Sequence, residues 1–113
     1  MLVGYNNSGE RKMSVLSELI AKEEHRNKLM IIEYTKELET LPKGSIKAKK
    51  VHDKTYYYLV FRIGSKVITQ YVGKSEIDIA DIKGKLTRRK QVEKILKRLA
   101  EESLQIKKAE AVL

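Results

Sequence analysis

The side chains best suited to acid–base or nucleophilic chemistry are few and scattered. His25 lies in a polar stretch of a predicted helix, and His52 stands beside Asp53 in a predicted turn. A His–Asp pair can transfer protons, but adjacent residues in a turn more often stabilise the turn itself. The acidic pairs Glu23-Glu24 and Glu101-Glu102 are flanked by lysines and lack metal-ligand spacing. Cysteine is absent, which excludes disulfides and thiolate zinc sites. We therefore expect no enzyme, no metal site and no cofactor.

Positive charge is more informative than any of these groups. The chain has 24 Lys and Arg against 15 Asp and Glu, a net charge of +9. Clustered cations attract phosphate backbones, so the expected partner is nucleic acid, DNA more than RNA. Ordinary solvated helix faces are the alternative explanation. The cations lie in two groups, one before and one after a tyrosine-rich stretch: Lys47, Lys49 and Lys50, and then Lys83, Lys85, Arg88, Arg89, Lys90, Lys94 and Lys97.

The tyrosine-rich stretch predicts the strands that must position these cations. Residues 56–63 are Tyr-Tyr-Tyr-Leu-Val-Phe-Arg-Ile, and Gly64-Ser65 separates them from a second β-prone run at 66–72. Two such runs joined by two turn residues predict a hairpin, and Gly in the first turn position suits a type II′ turn. With a strand at residues 46–51, the chain predicts a three-stranded antiparallel meander over about 45–73.

A two-residue turn at Gly64-Ser65 also predicts the register of the hairpin. Ile63 then faces Lys66, and side-chain alternation divides the strands between two sides. The aliphatic face is expected to pack on a helix and consists of Tyr57, Leu59, Phe61, Ile63, Ile68 and Val72. The tyrosine face is the candidate binding surface and consists of Tyr56, Tyr58, Val60, Arg62, Val67, Thr69 and Tyr71. Lys47 and either Lys49 or Lys50 can join it. Alternatively, the first helix covers Tyr58 and Tyr71.

Two helices flank the predicted meander, which gives an α+β fold. The first covers about 14–40 and ends before Pro42. Its middle, residues 23–28, is polar all round and is not expected to be deeply buried. The second covers about 75–110, with Ser75 as its cap and Gly84 as a bend or a close approach to the sheet.

Each helix carries an apolar seam with a spacing of three and four residues. The two helices are therefore expected to pair, and a homodimer through the seam is the alternative. We expect a loose lead-in at 1–13 and a single domain at 14–113. The first residues lack the pattern of a signal peptide, and no stretch has the roughly 18 to 20 apolar residues of a membrane span, so a cytoplasmic location is expected.

Four short motifs resemble a family of small uncharacterised bacterial and archaeal proteins. These motifs are Leu41-Pro42-Lys43-Gly44-Ser45-Ile46, Tyr56-Tyr57-Tyr58-Leu59, Gly64-x-Lys66-Val67 and Tyr71-Val72-Gly73-Lys74. The resemblance covers about residues 30–100 and carries no known activity.

The meander followed by a helix is also similar to the arm-type DNA-binding domain of tyrosine-recombinase integrases, which lays a sheet face into the major groove. That resemblance implies DNA contacts from Lys47, Lys49, Tyr56, Tyr58, Arg62, Thr69 and Tyr71.

Three functions remain open from the sequence. The first is a DNA-binding accessory protein, possibly of a mobile element, that uses the sheet and the basic helix. The second is a protein-interaction module, such as a phage- or plasmid-encoded inhibitor of a host defence nuclease. The third is a structural dimer whose charge is incidental.

Overall fold

A computed structural model describes residues 8–113, with side chains described from residue 15 onward. Three strands form one antiparallel sheet in the order β1-β2-β3. The predicted α+β fold, a meander between two long helices, is confirmed. The elements are α1 (Ser8–Thr40), β1 (Ser45–Val51), β2 (Lys54–Ile63), β3 (Lys66–Gly73) and α2 (Glu76–Val112).

The start of α1 differs from the prediction. The helix begins at Ser8 rather than near residue 14, so part of the predicted lead-in is helical. The rest of that lead-in, residues 1–7, lies outside the described residues. Within the part of the chain that is described, no helix combines the length and apolar character needed to span a membrane.

The chain divides into two compact units. One comprises the chain up to Lys36 together with Lys94–Leu113, and the other comprises Glu37–Glu93. The first unit is therefore helical in its described part, and the second contains the whole sheet and the adjoining ends of both helices. The single domain expected over 14–113 stays a prediction.

In the first unit, a buried asparagine joins the two helices. Asn27 is only 2% exposed, and its Nδ2 donates a hydrogen bond of 2.9 Å to the carbonyl oxygen of Leu99. The expectation that residues 23–28 avoid deep burial was wrong at this position, because the carbonyl replaces the water that the amide gives up. Arg26 and Glu102 add an ion pair of 3.7 Å. The helical seam thus has a partner within the chain.

In the second unit, a capping box starts α2. The Asp78 N–H donates to Ser75 Oγ, and Asp78 Oδ2 accepts hydrogen bonds from the backbone N–H groups of Lys74 and Ser75. These bonds, led by that of Lys74, lower the pKa of Asp78. A Cβ at Gly73 would stand 2.3 Å from the Asp78 Cβ. Only glycine therefore allows β3 to turn so tightly into α2.

The first turn of α2 lies against the aliphatic face. The Tyr57 hydroxyl donates to Glu76 Oε1 at 3.2 Å, and burial, followed by this bond, raises the pKa of Tyr57. Leu59 and Ile79 are buried, as expected for a sheet face under a helix. Ile63 is 60% exposed, so its assignment to the core was wrong; it borders the hairpin turn, at the end of β2.

Two short turns set the register of the sheet. Gly64 has φ +60 and Ile63 pairs with Lys66, as a two-residue turn with glycine first predicts. The predicted register holds back to Tyr58, after which a bulge pairs Tyr57 with Gly73 instead of Val72. At the other turn, His52 and Asp53 have φ values of 50 and 64. Both are positive, as a type I′ turn requires.

Gly44 explains the Leu-Pro-x-Gly-Ser motif between α1 and β1. Its φ is +108, and a Cβ there would stand 2.1 Å from the Val60 carbonyl oxygen and 2.9 Å from the Phe61 Cβ. The chain can therefore pass β2 only with glycine at this position. Gly84 is different: α2 is continuous through it, and a Cβ there would meet no described atom within 4 Å. The predicted close approach of Gly84 to the sheet is therefore wrong.

Candidate nucleic-acid interface

Three tyrosine rings form a cluster at the centre of the tyrosine face. Tyr58 pairs with Tyr71 across the hairpin, and their ring centroids are 5.7 Å apart in an edge-on arrangement. Tyr56 approaches Tyr71 from the other side, with a centroid distance of 6.3 Å and a tilted geometry. Each such pair contributes about 0.5–1.5 kcal/mol beyond simple burial. The cluster therefore forms an aromatic platform.

The tyrosine face is open to solvent along β3. Tyr71 is 49% exposed and Val67 is 57% exposed. Thr69 and Arg62 are also exposed, whereas Tyr56 and Tyr58 are half-buried. A partner therefore has access to Tyr71 and to Arg62.

The β1 register decides which lysines share this side of the sheet. Lys47 pairs with Tyr58 and Lys49 pairs with Tyr56. Paired residues point to the same side of an antiparallel sheet, so both lysines flank the tyrosine face. Lys50 pairs with Thr55 and therefore points to the opposite side, away from the other predicted contacts.

Lys54 is a further cation on this side that the sequence analysis missed. It lies between the predicted strands at 46–51 and 56–63, but it is the first residue of β2 and pairs with Val51. It precedes Tyr56 by two residues, so alternation places it on the tyrosine side. If His52-Asp53 is a two-residue turn, the next strand must begin at Lys54, and this is the signal in the sequence that could have placed Lys54 in β2.

The cations of the sheet are not neutralised by neighbouring carboxylates. Residues 45–74 include seven basic residues and a single acidic one, Asp53 in a turn. Among the described residues, no ion pair involves Lys47, Lys49, Lys54 or Arg62. A phosphate approaching this side therefore meets cations without displacing an internal partner.

Two of the arginines predicted to contact nucleic acid hold the end of α1. Arg88 makes a bidentate pair with Glu37, with contacts of 2.5 and 2.8 Å, which lowers the pKa of Glu37. Arg89 Nη1 donates to the carbonyl oxygens of Leu38 and Leu41 at 3.0 and 2.9 Å. These carbonyls lie at the C-terminal end of the helix, where the helix itself supplies no further backbone N–H groups to bond them. The two arginines therefore have structural roles that the sequence did not reveal.

The remaining predicted cations of α2 are exposed but differ in their partners. Lys83 pairs with Glu76 at 3.2 Å and Lys85 pairs with Asp81 at 3.1 Å. In the part of the chain the structure covers, no ion pair involves Lys90, Lys94 or Lys97. Lys94 and Lys97 belong to the first unit, whereas the sheet belongs to the second.

None of the three depressions described in the second unit is lined by a histidine. The largest of those described is an open groove of about 480 Å³ whose lining includes Pro42, Phe61 and Ile63. Two smaller depressions, of about 350 and 270 Å³, lie beside Gly44 and Leu86. Within the described residues, no group of three or more His, Asp or Glu side chains could hold a metal ion.

A family model for a domain of unknown function, DUF6788, matches residues 10–81. The chain belongs to the DUF6788 family. The match confirms the predicted resemblance to a small family of uncharacterised function, and it contains the whole sheet and the Gly44 joint. The DUF6788 match ends before Lys83, so the basic run of α2 lies outside it. No curated protein and no solved structure matches the chain significantly. The resemblance to integrase arm domains remains a prediction.

Proposed function

We propose that the protein is a small nucleic-acid-binding accessory protein that prefers duplex DNA. It binds through the tyrosine face together with Lys47, Lys49 and Lys54. The main support is one exposed sheet surface that combines an aromatic platform with cations lacking carboxylate partners in the described chain. No catalytic step forms part of the proposal.

The dimensions of the sheet fit a duplex groove. Strands lie about 4.8 Å apart, so three strands measure roughly 10 Å across. The major groove is about 12 Å wide and admits β structure. In this arrangement Arg62 and Thr69 reach base edges, and Lys47 and Lys49 on the outer strand β1 reach phosphates. The resemblance to integrase arm domains supports the same mode of binding and a role in a mobile element.

Binding to single-stranded nucleic acid must be distinguished from binding to a duplex. Exposed tyrosine rings also stack on unpaired bases, and Tyr71 presents half of its surface. Each neutralised phosphate contributes about 0.9 to the salt slope on duplex DNA and about 0.7 on a single strand. The face offers Lys47, Lys49, Lys54 and Arg62, so its slope on duplex DNA should reach about 3.6 at most. A steeper slope would mean that other cations also take part, either those of α2 or those of the same face on a second copy.

The decisive experiment compares two neighbouring lysines on opposite sides of β1. Affinity for duplex DNA, single-stranded DNA and RNA is measured by titration over a series of salt concentrations. Lys49→Glu should weaken binding and lower the salt slope by about 1, because one phosphate contact is lost. Lys50→Glu makes the same change in net charge next to it and should leave the slope nearly unchanged.

Two results would refute the proposal. If the wild-type protein binds none of the three nucleic acids at low salt, binding to nucleic acid is excluded as the function. If both substitutions weaken binding equally, the tyrosine face is not the binding surface and only net charge matters. Co-purification of a stoichiometric protein with no nucleic acid would favour the protein-interaction alternative instead.

A further inference from the structure

The outer edge of β3 is a second surface whose role the proposed function does not explain. The sheet has two edges, β1 and β3. An edge strand offers unpaired backbone N–H and C=O groups to any further strand. The two edges of this sheet differ in how they are protected.

The hairpin register identifies the free groups of β3. Ile63 and Lys66 close a two-residue turn and therefore exchange backbone hydrogen bonds with each other. Bonded and non-bonded pairs alternate from there, so Ile68 bonds back to β2 whereas Val67 and Thr69 point their backbone groups outward. Tyr71 continues the outward set. Among the described residues, no other hydrogen bond reaches these outward groups.

Beyond Lys66 at its start, β3 has no charged side chain along its edge. Residues 67–73 are Val-Ile-Thr-Gln-Tyr-Val-Gly, without a single charged residue. Val67 and Tyr71 are about half exposed, and Thr69 is exposed. By contrast, β1 carries Lys47, Lys49 and Lys50 within seven residues. Lysines on an edge strand oppose pairing with another strand, so β1 is protected and β3 is not.

We infer that β3 pairs with β3 of a second copy of this chain, antiparallel and centred on Thr69. The two three-stranded sheets then form one continuous sheet around a two-fold axis. Thr69 faces its own counterpart, and Val67 faces Tyr71 of the other copy in both halves. The pairing joins β-branched and aromatic side chains, a favourable combination across strands, and uses every outward group of Val67, Thr69 and Tyr71.

Charge favours a second copy over a foreign peptide at this edge. An acidic peptide would be attracted to the edge that carries lysines, which is β1. In the symmetric β3 pair, Lys66 faces Val72 of the other copy, and the two Lys66 residues lie at opposite ends of the joined strands. The two Lys66 side chains therefore do not repel each other across the joined strands.

The dimer does not depend on nucleic-acid binding, and the two can be tested separately. One strand edge buries less surface than a standard protein interface, so the dimer should form in a concentration-dependent way. Pairing places two copies of the tyrosine face side by side on the same side of one sheet. A dimer would therefore present a doubled surface to a ligand.

Site-directed cross-linking tests the inference directly. The chain contains no cysteine, so a single introduced cysteine can form a disulfide only with a second copy. Thr69→Cys should cross-link several-fold faster than Ala48→Cys, because opposed residues in a strand pair lie within disulfide distance. Ala48 is the control because it is exposed and its backbone points outward on the other edge, β1. Equal rates in nucleic-acid-free protein would overturn the inference.

Mass in solution provides an independent check. Light scattering of the wild-type protein should shift with concentration from 13.1 kDa toward twice that mass. Thr69→Pro removes only an outward donor and should keep the protein monomeric, whereas Thr69→Ala keeps the donor and should dimerise. Val67→Lys places a charge on the β3 edge and should also give a monomer. A wild-type protein that stays at the single-chain mass, or folded variants that dimerise as the wild type does, would overturn the inference.

Discussion

Replacing Arg89 with alanine should destabilise the protein without removing a nucleic-acid contact. The side chain is only 14% exposed and donates two hydrogen bonds to carbonyls at the end of α1. Hydrogen bonds from a charged group contribute about 1.5–3 kcal/mol each, and a cation near a helix C-terminus adds about 0.3–1 kcal/mol. Because such contributions are not additive, the expected loss is about 2–4 kcal/mol.

Urea unfolding followed by circular dichroism measures this loss. A domain of this size has a total stability of about 5–15 kcal/mol, so the variant should still fold. With a denaturant slope of about 2 kcal/mol per molar, the midpoint should fall by roughly 1–2 M. Lys90→Ala is the matched control, since Lys90 is the next residue and exposed. Its free energy of unfolding should change by less than about 0.5 kcal/mol.

The same two variants separate structure from binding. Under conditions where both are fully folded, Arg89→Ala should bind nucleic acid as the wild type does. If Arg89→Ala keeps the wild-type urea midpoint but loses affinity, the guanidinium contacts the ligand and the capping argument is wrong. A loss of both would mean that the end of α1 positions the binding surface.

Three further predictions concern the backbone and the helix cap. Gly44→Ala should lower the free energy of unfolding by roughly 2–5 kcal/mol, because it adds both backbone strain and a clash, whereas Gly84→Ala should raise it by about 0.5–1 kcal/mol; urea unfolding measures both. His52→Asn combined with Asp53→Gly should raise the thermal midpoint, since these residues favour a type I′ turn by about 1 kcal/mol. The lowered pKa of Asp78 means that its contribution is complete above the ordinary carboxyl range and is lost as pH falls through the folded-state value. In the Asp78→Asn variant, the free energy of unfolding should therefore fall less steeply as the pH is lowered. An unchanged pH dependence would contradict this.

The strand register could be predicted from the sequence because side-chain alternation and one turn determine it. Gly64-Ser65 set the pairing, and each residue back to Tyr58 followed. The bulge beyond Tyr58 could not be predicted in this way. A bulge depends on local backbone conformation, and Gly73 beside Val72 is compatible with a bulge but equally with the end of the strand.

The roles of the buried and bonded polar residues were harder to predict. Asn27 lies in a charged stretch, so the composition indicated an exposed side chain. In the fold, its amide donates a hydrogen bond to the Leu99 carbonyl oxygen. Arg89 bonds to backbone carbonyls, which every residue possesses and which therefore leave no signature in the sequence. Residue type gives the capacity for a hydrogen bond, whereas only the fold supplies the partner.

Net charge by itself does not locate a binding surface, because the partners of each cation decide its availability. The cations of α2 that lie nearest to acidic residues, such as Lys83 with Glu76 and Lys85 with Asp81, already have carboxylates at 3.2 and 3.1 Å. A phosphate must compete with these partners before it gains a contact. The strands contain no acidic residue, so Lys47 and Lys49 can neutralise phosphates directly and release the counterions of the nucleic acid. For the same overall charge, the sheet should therefore contribute more of the salt dependence than the helix.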